Sequence, residues 1–151
     1  MPIASFILAV CFIDQVSGFV YHDKVKGKKK STERCKKFVE EYLNKVAAKP
    51  YNKNDLIDLL RNKLVHNYSL YNKDNPAHVK YLLEWKYPIL HLHPSKTGIL
   101  INLEKFINEL EAAFNIYKTQ LQSDAGIQKL AIDHYDQYKI LVYNEIETEI
   151  V

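Results

Sequence analysis

Residues Leu59–Ser69, LLRNKLVHNYS, carry the leucines of a buried helix together with polar side chains that a buried helix rarely holds. On a helical wheel, with about 100° per residue, the apolar side consists of Leu56, Ile57, Leu60 and Leu64. The opposite side is a polar stripe about 80° wide, formed by Asp55, Asp58, Asn62 and His66. The pattern predicts a third helix that is capped by Asn54, ends near Tyr68 and buries one face in its own bundle.

Two interpretations of the polar stripe follow from its neighbours. Leu59 and Val65 flank it, and Arg61 is long enough to reach it, so the stripe could line a groove against a second copy of the chain. Alternatively, Asp58 pairs with Arg61 or Asn62 along the helix, at spacings that contribute about 0.2–0.5 kcal/mol per pair. In that case the polar side chains serve only the structure.

The composition indicates one mostly helical domain that covers residues 1–151. The chain has 151 residues, 47% hydrophobic and 26% charged, which is enough for one sizeable core. Four glycines and five prolines are too few for an all-β chain with many tight turns. The formal net charge of +3 permits an anionic partner without requiring one. Cys11 and Cys35 have no metal-binding spacing and are expected to be buried, reduced thiols.

The N-terminal run MPIASFILAVCFIDQVSGF is predicted to form a buried first helix over residues 3–21. No Lys or Arg precedes the run and Asp14 interrupts it, so it differs from a secretory signal. We also expect it to be too short for a membrane span. The sequence therefore predicts a cytoplasmic protein without a membrane partner.

Three more helices are predicted from apolar residues spaced three and four apart. The second helix is capped by Ser31 or Thr32, ends before Pro50, and carries Cys35, Phe38, Val39, Tyr42 and Val46. The fourth is capped by Asn102 and carries Phe106, Leu110, Phe114, Tyr117 and Leu121. The fifth starts at Ser123 or Asp124 and buries Ile127, Leu130, Ala131, His134, Tyr138 and Leu141.

Between the third and fourth helices the pattern changes to two short β-rich runs. The polar residues 71–80 contain Pro76 and indicate a loop. The following stretch YPILHLHPSKTGILI, Tyr87–Ile101, has Pro94–Gly98 at its centre, which is typical of a hairpin loop. The predicted fold class is therefore all-α, a bundle of about five helices with a small β-hairpin inserted near 87–101.

The stretch RNKLVH, Arg61–His66, has the R-x4-H pattern with Asn directly after Arg. It resembles the signature of the HEPN superfamily (higher eukaryotes and prokaryotes nucleotide-binding domains). The longer RNKLVHNY is similar to the R-x4-H-x-Y form of HEPN toxins that pair with minimal nucleotidyltransferase antitoxins. The position of the motif on the third helix of a helical bundle agrees with this resemblance.

The resemblance implies a metal-independent endoribonuclease that uses no cofactor and forms a homodimer with two motifs across one cleft. His66 would act as general base or acid while a ribose 2′-hydroxyl attacks the adjacent phosphorus of single-stranded RNA. Arg61 would bind the phosphate and stabilise the charge on its oxygens. Asn62 would orient His66 or the phosphate, and Tyr68 would donate a hydrogen bond or carry a modification. The implied product is a 2′,3′-cyclic phosphate.

The same resemblance also implies a biological setting and an alternative. The setting is defence, toxin–antitoxin function or stress response, with a nucleotidyltransferase-type antitoxin as the protein partner. Some HEPN domains lack nuclease activity and bind a nucleotide, RNA or a partner protein. A catalytically inactive binding module is therefore the second functional interpretation.

Two weaker candidate sites remain. A basic loop could contact RNA phosphates, although lysine runs are more often solvated loops; its lysines are Lys24, Lys26, Lys28, Lys29 and Lys30. His91 and His93, with His78 nearby in sequence, could bind Zn²⁺. No cysteine or suitably spaced carboxylate accompanies these histidines, so we predict no metal site.

Overall fold

A computed structural model describes residues 2–24, 30–64, 81–96 and 98–138, without the side chains of Asp23, Leu59, Asn62, Lys63 and Tyr138. Several sequence predictions fall on other residues and lie outside the described part. These are the end of the third helix near Tyr68, the roles of His66 and His78, the inward position of Leu141, and the phosphate contacts of Lys26, Lys28 and Lys29.

The described chain is mostly helical, which confirms the predicted all-α fold class with a small β insertion. Helix α1 spans Pro2–Tyr21 and continues into a 3₁₀ turn at His22–Lys24. Helix α2 (Lys30–Phe38) runs through π-helical turns at Val39–Leu43 into a short helix α3 (Asn44–Val46). The motif helix consists of α4 (Lys53–Leu56) and the π-helical turns Ile57–Leu64. Two helices complete the bundle, α5 (Leu103–Ser123) and α6 (Ala125–Tyr138).

The motif helix buries the predicted apolar face. Leu56, Ile57, Leu60 and Leu64 are all buried in the core. Its cap, however, is Asn52 and not Asn54. The Asn52 side chain accepts hydrogen bonds from the backbone N–H groups of Asn54 and Asp55, at 3.0 and 3.2 Å. Both asparagines suit an N-cap, but Asn52 has the extended backbone that the position requires.

The other predicted caps have mixed outcomes. Asn102 caps α5 as predicted, because its side chain accepts from the backbone N–H of Lys105 at 3.1 Å. Asp124 caps α6, with its carboxylate accepting from the N–H groups of Gly126 and Ile127. Ser31 and Thr32 are not caps, because they lie within α2, and their hydroxyls bind other side chains.

In the described chain, three strands form one sheet rather than a simple hairpin. Strand β3 (Ile99–Asn102) lies in the middle, antiparallel to β2 (His93–Pro94) and parallel to β1 (Tyr81–Glu84). The predicted hairpin around 95–98 is confirmed. The first predicted β-rich run is mostly a 3₁₀ turn, Pro88–Leu90, since Pro88 favours that start and Leu92 has a left-handed φ of 52°. Strand β1 was not predicted from the sequence.

Helix α1 supplies much of the core that the bundle encloses. Its 20 residues are long and apolar enough to cross a membrane by length and composition, so the expectation that this run is too short is wrong. Core helices of soluble proteins meet the same criteria. The residues of α1 that are buried in the fold are Phe6, Ala9, Val10, Ile13, Val16, Ser17, Gly18, Val20 and Tyr21. Helix α1 is therefore a core element of this bundle.

Two burial predictions need correction. Cys35 is buried as expected, but Cys11 is exposed on α1. Along α6, His134 is buried, whereas Ile127, Leu130 and Ala131 are only half-buried. The amphipathic pattern of α6 is thus only partly used, because α6 lies at the edge of the described bundle and packs mainly against α1.

Candidate functional site

Arg61 connects three helices from its position on the motif helix. Its side chain is only 18% exposed. Nη2 lies 3.0 Å from a carboxylate oxygen of Asp14 on α1 and donates to the Ser31 hydroxyl at 2.6 Å. Nη1 donates to the Thr32 hydroxyl at 3.2 Å. The guanidinium is therefore held at the junction of α1, α2 and the motif helix.

The orientation of Arg61 differs from the expectation that it reaches toward the polar stripe. Arg61 lies in the π-helical turns Ile57–Leu64, which hold more residues per turn than an α-helix. Among the contacts between described residues, Arg61 meets the acidic side chain of Asp14 at hydrogen-bond distance, and Asp58 lies 3.5 Å from Lys36.

Asp14 is the centre of this polar cluster. One carboxylate oxygen accepts from the Ser31 hydroxyl at 2.6 Å and from the Cys35 thiol at 3.4 Å, and the other accepts from Arg61. Burial alone would raise the pKa of Asp14, but hydrogen bonds from Ser31 and Arg61 and the charge of Arg61 lower it below the ordinary value. Burial raises the pKa of Cys35 to about 12, so this thiol stays protonated and can donate. Asp14 is thus held as a carboxylate.

A cavity of about 520 Å³ adjoins the cluster between α1, α2 and α6. It shares Asp14 and Ser31 with the Arg61 cluster, and the described residues that line it are Cys11, Asp14, Gln15, Gly18, Ser31, Arg34 and His134. Arg34 is only 8% exposed. Its Nε and Nη1 atoms are enclosed and have no hydrogen-bond acceptor among the residues that the structure describes. A buried cation without an acceptor is costly, so Arg34 marks this cavity as polar and positively charged.

His134 closes one side of the cavity and contacts a second histidine, His22. The Nδ1 atoms of His22 and His134 are 3.2 Å apart, so one ring donates and the other accepts, and the accepting ring is neutral. Burial lowers the pKa of His134, and the charges of Arg34, His22 and Lys30 lower it further. The edge of the His134 ring also packs on Phe19, with 4.7 Å between ring centroids. His134 is therefore fixed in orientation.

The predicted catalytic residues are described only in part. The side chain of Arg61 is described, that of Asn62 is not, and His66 and Tyr68 lie outside the described residues. Of the lysine loop, Lys24 is exposed and Lys30 is half-buried at the start of α2. Sequence reasoning missed Asp14 as a partner of Arg61 and Arg34 as a cavity residue. The one signal for Asp14 was a carboxylate inside an otherwise apolar helix.

His91 lies in a hydrogen-bond network with Tyr51 and Glu109. Its Nδ1 accepts from the backbone N–H of Asn102 at 3.1 Å, so the proton is on Nε2. Nε2 lies 2.8 Å from the Tyr51 hydroxyl and 3.2 Å from Glu109. Tyr51 in turn donates to Glu109 at 2.5 Å. The network ties the β insertion to α5, whereas His93 is exposed, and no group of three metal-ligating side chains occurs in the described ranges.

Replacing Glu109 with glutamine is expected to weaken the acid dependence of folding stability. Burial raises the pKa of Glu109, but hydrogen bonds from His91, Tyr51 and the Ala48 N–H lower it below its ordinary 4.5. A carboxyl with a lower pKa in the folded state stabilises above its unfolded pKa, and that stability disappears as the pH falls through the folded pKa. Urea unfolding should show a loss of about 1–3 kcal/mol at neutral pH and a flatter decline in acid.

The matched control is Glu111→Gln, which removes an exposed carboxylate from the same helix. The free energy of unfolding of this variant should depend on pH as that of wild type does. The pH-dependent stabilisation by Asp14 should remain in both variants. If Glu109→Gln retained the full wild-type dependence on acid, the stabilising role of the ionised Glu109 would be wrong.

Comparisons with protein-family models, with curated proteins and with solved structures find no match for this chain. The HEPN resemblance therefore rests on the sequence RNKLVHNY at 61–68.

Proposed function

We propose that this chain is a metal-independent endoribonuclease of the HEPN type that cleaves single-stranded RNA. The observation that carries the proposal is the fixed guanidinium of Arg61, five residues before His66 in the sequence. An arginine oriented before substrate arrives can stabilise developing charge without reorganisation. Asp14, Ser31 and Thr32 supply that orientation from two other helices.

In the proposed mechanism His66 removes the proton from a ribose 2′-hydroxyl, whose oxygen attacks the adjacent phosphorus. The bond from phosphorus to the 5′-oxygen breaks, and a protonated histidine supplies the leaving oxygen with a proton. The products are a 2′,3′-cyclic phosphate and a 5′-hydroxyl. Arg61 stabilises the charge on the non-bridging oxygens, and Asn62 and Tyr68 orient the reacting groups. Asp14 is a positioning residue, because it acts through Arg61.

The proposal includes a homodimer, because one motif supplies one histidine while the reaction needs both a base and an acid. The polar stripe of the motif helix would face the same stripe of a second copy. A cytoplasmic location, no membrane partner and a nucleotidyltransferase-type antitoxin belong to the same proposal. So does a role in defence, toxin–antitoxin function or stress response.

A catalytically inactive module that binds a nucleotide, RNA or a protein is the second candidate. It is supported by the engagement of Arg61 with Asp14, which occupies part of the guanidinium that a phosphate would need. It is also supported by the cavity beside that pair. In this case the polar cluster would hold a ligand without cleaving it.

The test compares wild type, His66→Ala and His93→Ala on total tRNA and on a single-stranded RNA in EDTA. Circular dichroism first establishes equal folding. We expect wild type and His93→Ala, which changes an exposed histidine of the β insertion, to leave cyclic phosphate ends. His66→Ala should lose cleavage, because the proton carrier is gone.

Two outcomes would contradict the proposal. Cleavage that requires a divalent ion and leaves a 5′-phosphate would exclude the mechanism even though RNA is cut. Absence of cleavage by folded wild type would favour the binding module.

A further inference from the structure

Among the residues that the structure describes, those that line the cavity between α1, α2 and α6 carry a positive charge without a counter-charge. The one acidic residue among them, Asp14, already accepts hydrogen bonds from Arg61, Ser31 and Cys35. The negative charge of Asp14 is thus balanced by the positive charge of Arg61. Arg34 has no carboxylate within 4.0 Å in the part of the chain that the structure describes. The surplus charge of the cavity is therefore that of Arg34.

The surrounding side chains suit an anion with several oxygens. The Gln15 amide and the His134 ring line the same cavity from two helices, whereas the proton of the Ser31 hydroxyl is already donated to Asp14. A planar guanidinium binds phosphate through paired N–H groups, and binding here requires the Arg34 guanidinium to rotate, because its Nε and Nη1 atoms are enclosed. The exposed Cys11 and Gln15 at the rim make the cavity reachable from solvent. Its volume of about 520 Å³ leaves room for an organic group beside a phosphate.

We propose that this cavity binds the phosphate group of a small phosphomonoester, with Arg34 as its principal ligand. The phosphate would satisfy the N–H groups of Arg34 that have no acceptor among the described residues. The inference does not rest on RNA cleavage at Arg61 and His66, since the site needs neither residue for binding. Phosphate binding would explain why Arg34 is buried, because an unpaired buried cation by itself weakens folding.

The proposal is tested by calorimetric titration of wild type with adenosine 5′-monophosphate, with inorganic phosphate, and with adenosine as the phosphate-free probe. We expect binding of the monophosphate and of phosphate, and none of adenosine. Arg34→Gln should weaken phosphate binding roughly tenfold to a hundredfold, because a charged hydrogen-bond donor pair is lost. Arg34→Lys keeps the positive charge but lacks the planar pair of donors, so its affinity for phosphate should lie between those of wild type and Arg34→Gln.

The matched control is Lys37→Gln, which removes the same charge from α2 outside the cavity. It should bind phosphate as wild type does. An RNA oligonucleotide without terminal phosphates distinguishes the two sources of phosphate, and we expect it not to compete with the monophosphate. If that oligonucleotide competed with the monophosphate, the ligand of the cavity would be an RNA phosphodiester, and the proposed phosphomonoester would be wrong.

The melting temperature gives a second measurement that does not depend on cleavage. Without ligand, Arg34→Gln should melt no lower than wild type, because the variant no longer buries an unpaired cation. Saturating phosphate should raise the melting temperature of wild type but not that of Arg34→Gln. If folded wild type bound none of the phosphate probes, or if Arg34→Gln bound them equally well, the proposal would be overturned. Loss of RNA cleavage in a protein that still binds phosphate would contradict only the proposed function.

Discussion

Replacing Arg61 with alanine is expected to lower RNA cleavage by about a hundredfold to a thousandfold. In the proposed mechanism this guanidinium stabilises charge that develops on the phosphate oxygens, so the loss should appear mainly in kcat. The variant should also unfold more easily, by about 1–3 kcal/mol, since Asp14 loses its ion pair. Steady-state kinetics and urea unfolding of the same preparations measure the two effects separately.

Arg61→Lys separates catalysis from folding. Lysine keeps the charge near Asp14 and should recover most of the lost stability, but it lacks the planar fork and should remain poorly active. Lys53→Ala is the matched control, because it removes another cation and its contact with Glu40 from the motif helix. Full activity of Arg61→Ala would exclude the mechanism. Full recovery of cleavage by Arg61→Lys would exclude the need for a planar donor.

The role of Asp14 can be measured in the same assays. A double-mutant cycle with Asp14→Asn and Arg61→Gln should give a coupling of about 0.5–1 kcal/mol, limited by the partial exposure of Asp14. The stabilising contribution of Asp14 is present above its unfolded pKa and disappears as the pH falls through its lowered folded pKa. The coupling energy between Asp14 and Arg61 should therefore decrease at acidic pH. If Asp14 positions Arg61 for catalysis, Asp14→Asn should also lower kcat. A purely structural ion pair would leave kcat unchanged.

The helical part of the fold was predictable because it depends on local periodicity. Four leucine and isoleucine positions on one face located the motif helix, and Asn102 located the start of α5. Local pattern could not choose between Asn52 and Asn54, because both are good caps and the backbone of the preceding bend decides. Strand β1 was missed because its partner β3 lies in a parallel arrangement that no local pattern specifies.

The site was predictable where a motif was contiguous and unpredictable where it was assembled by packing. Arg61 was identified from RNKLVH, but its partner Asp14 is 47 residues away in sequence. The π-helical turns that carry Arg61 have no reliable sequence signal. Arg34 was missed because a cation in a polar helix is normally solvated, and its burial depends on packing between helices, which no local pattern specifies.

Replacing Gly18 with alanine is expected to destabilise the fold, although alanine is the better helix former by about 1 kcal/mol. A Cβ on Gly18 would lie 2.6 Å from Nε2 and 2.7 Å from Cε1 of His134. The ring has little freedom to move, because it is buried, bound to His22 and packed on Phe19. Overpacking of this kind costs about 1–3 kcal/mol, so the net effect in urea unfolding should be a loss of stability.

The sign of this effect should reverse when His134 is absent. In a His134→Ala background, Gly18→Ala should stabilise by about 1 kcal/mol, because only the helix propensity remains. The coupling between the two substitutions should therefore equal the overpacking cost, about 1–3 kcal/mol. Cys11→Gly compared with Cys11→Ala measures the same propensity at an exposed position of α1. If Gly18→Ala stabilised the protein equally in both backgrounds, the close packing of α6 on α1 at this glycine would be wrong, and with it one wall of the cavity that holds Arg34.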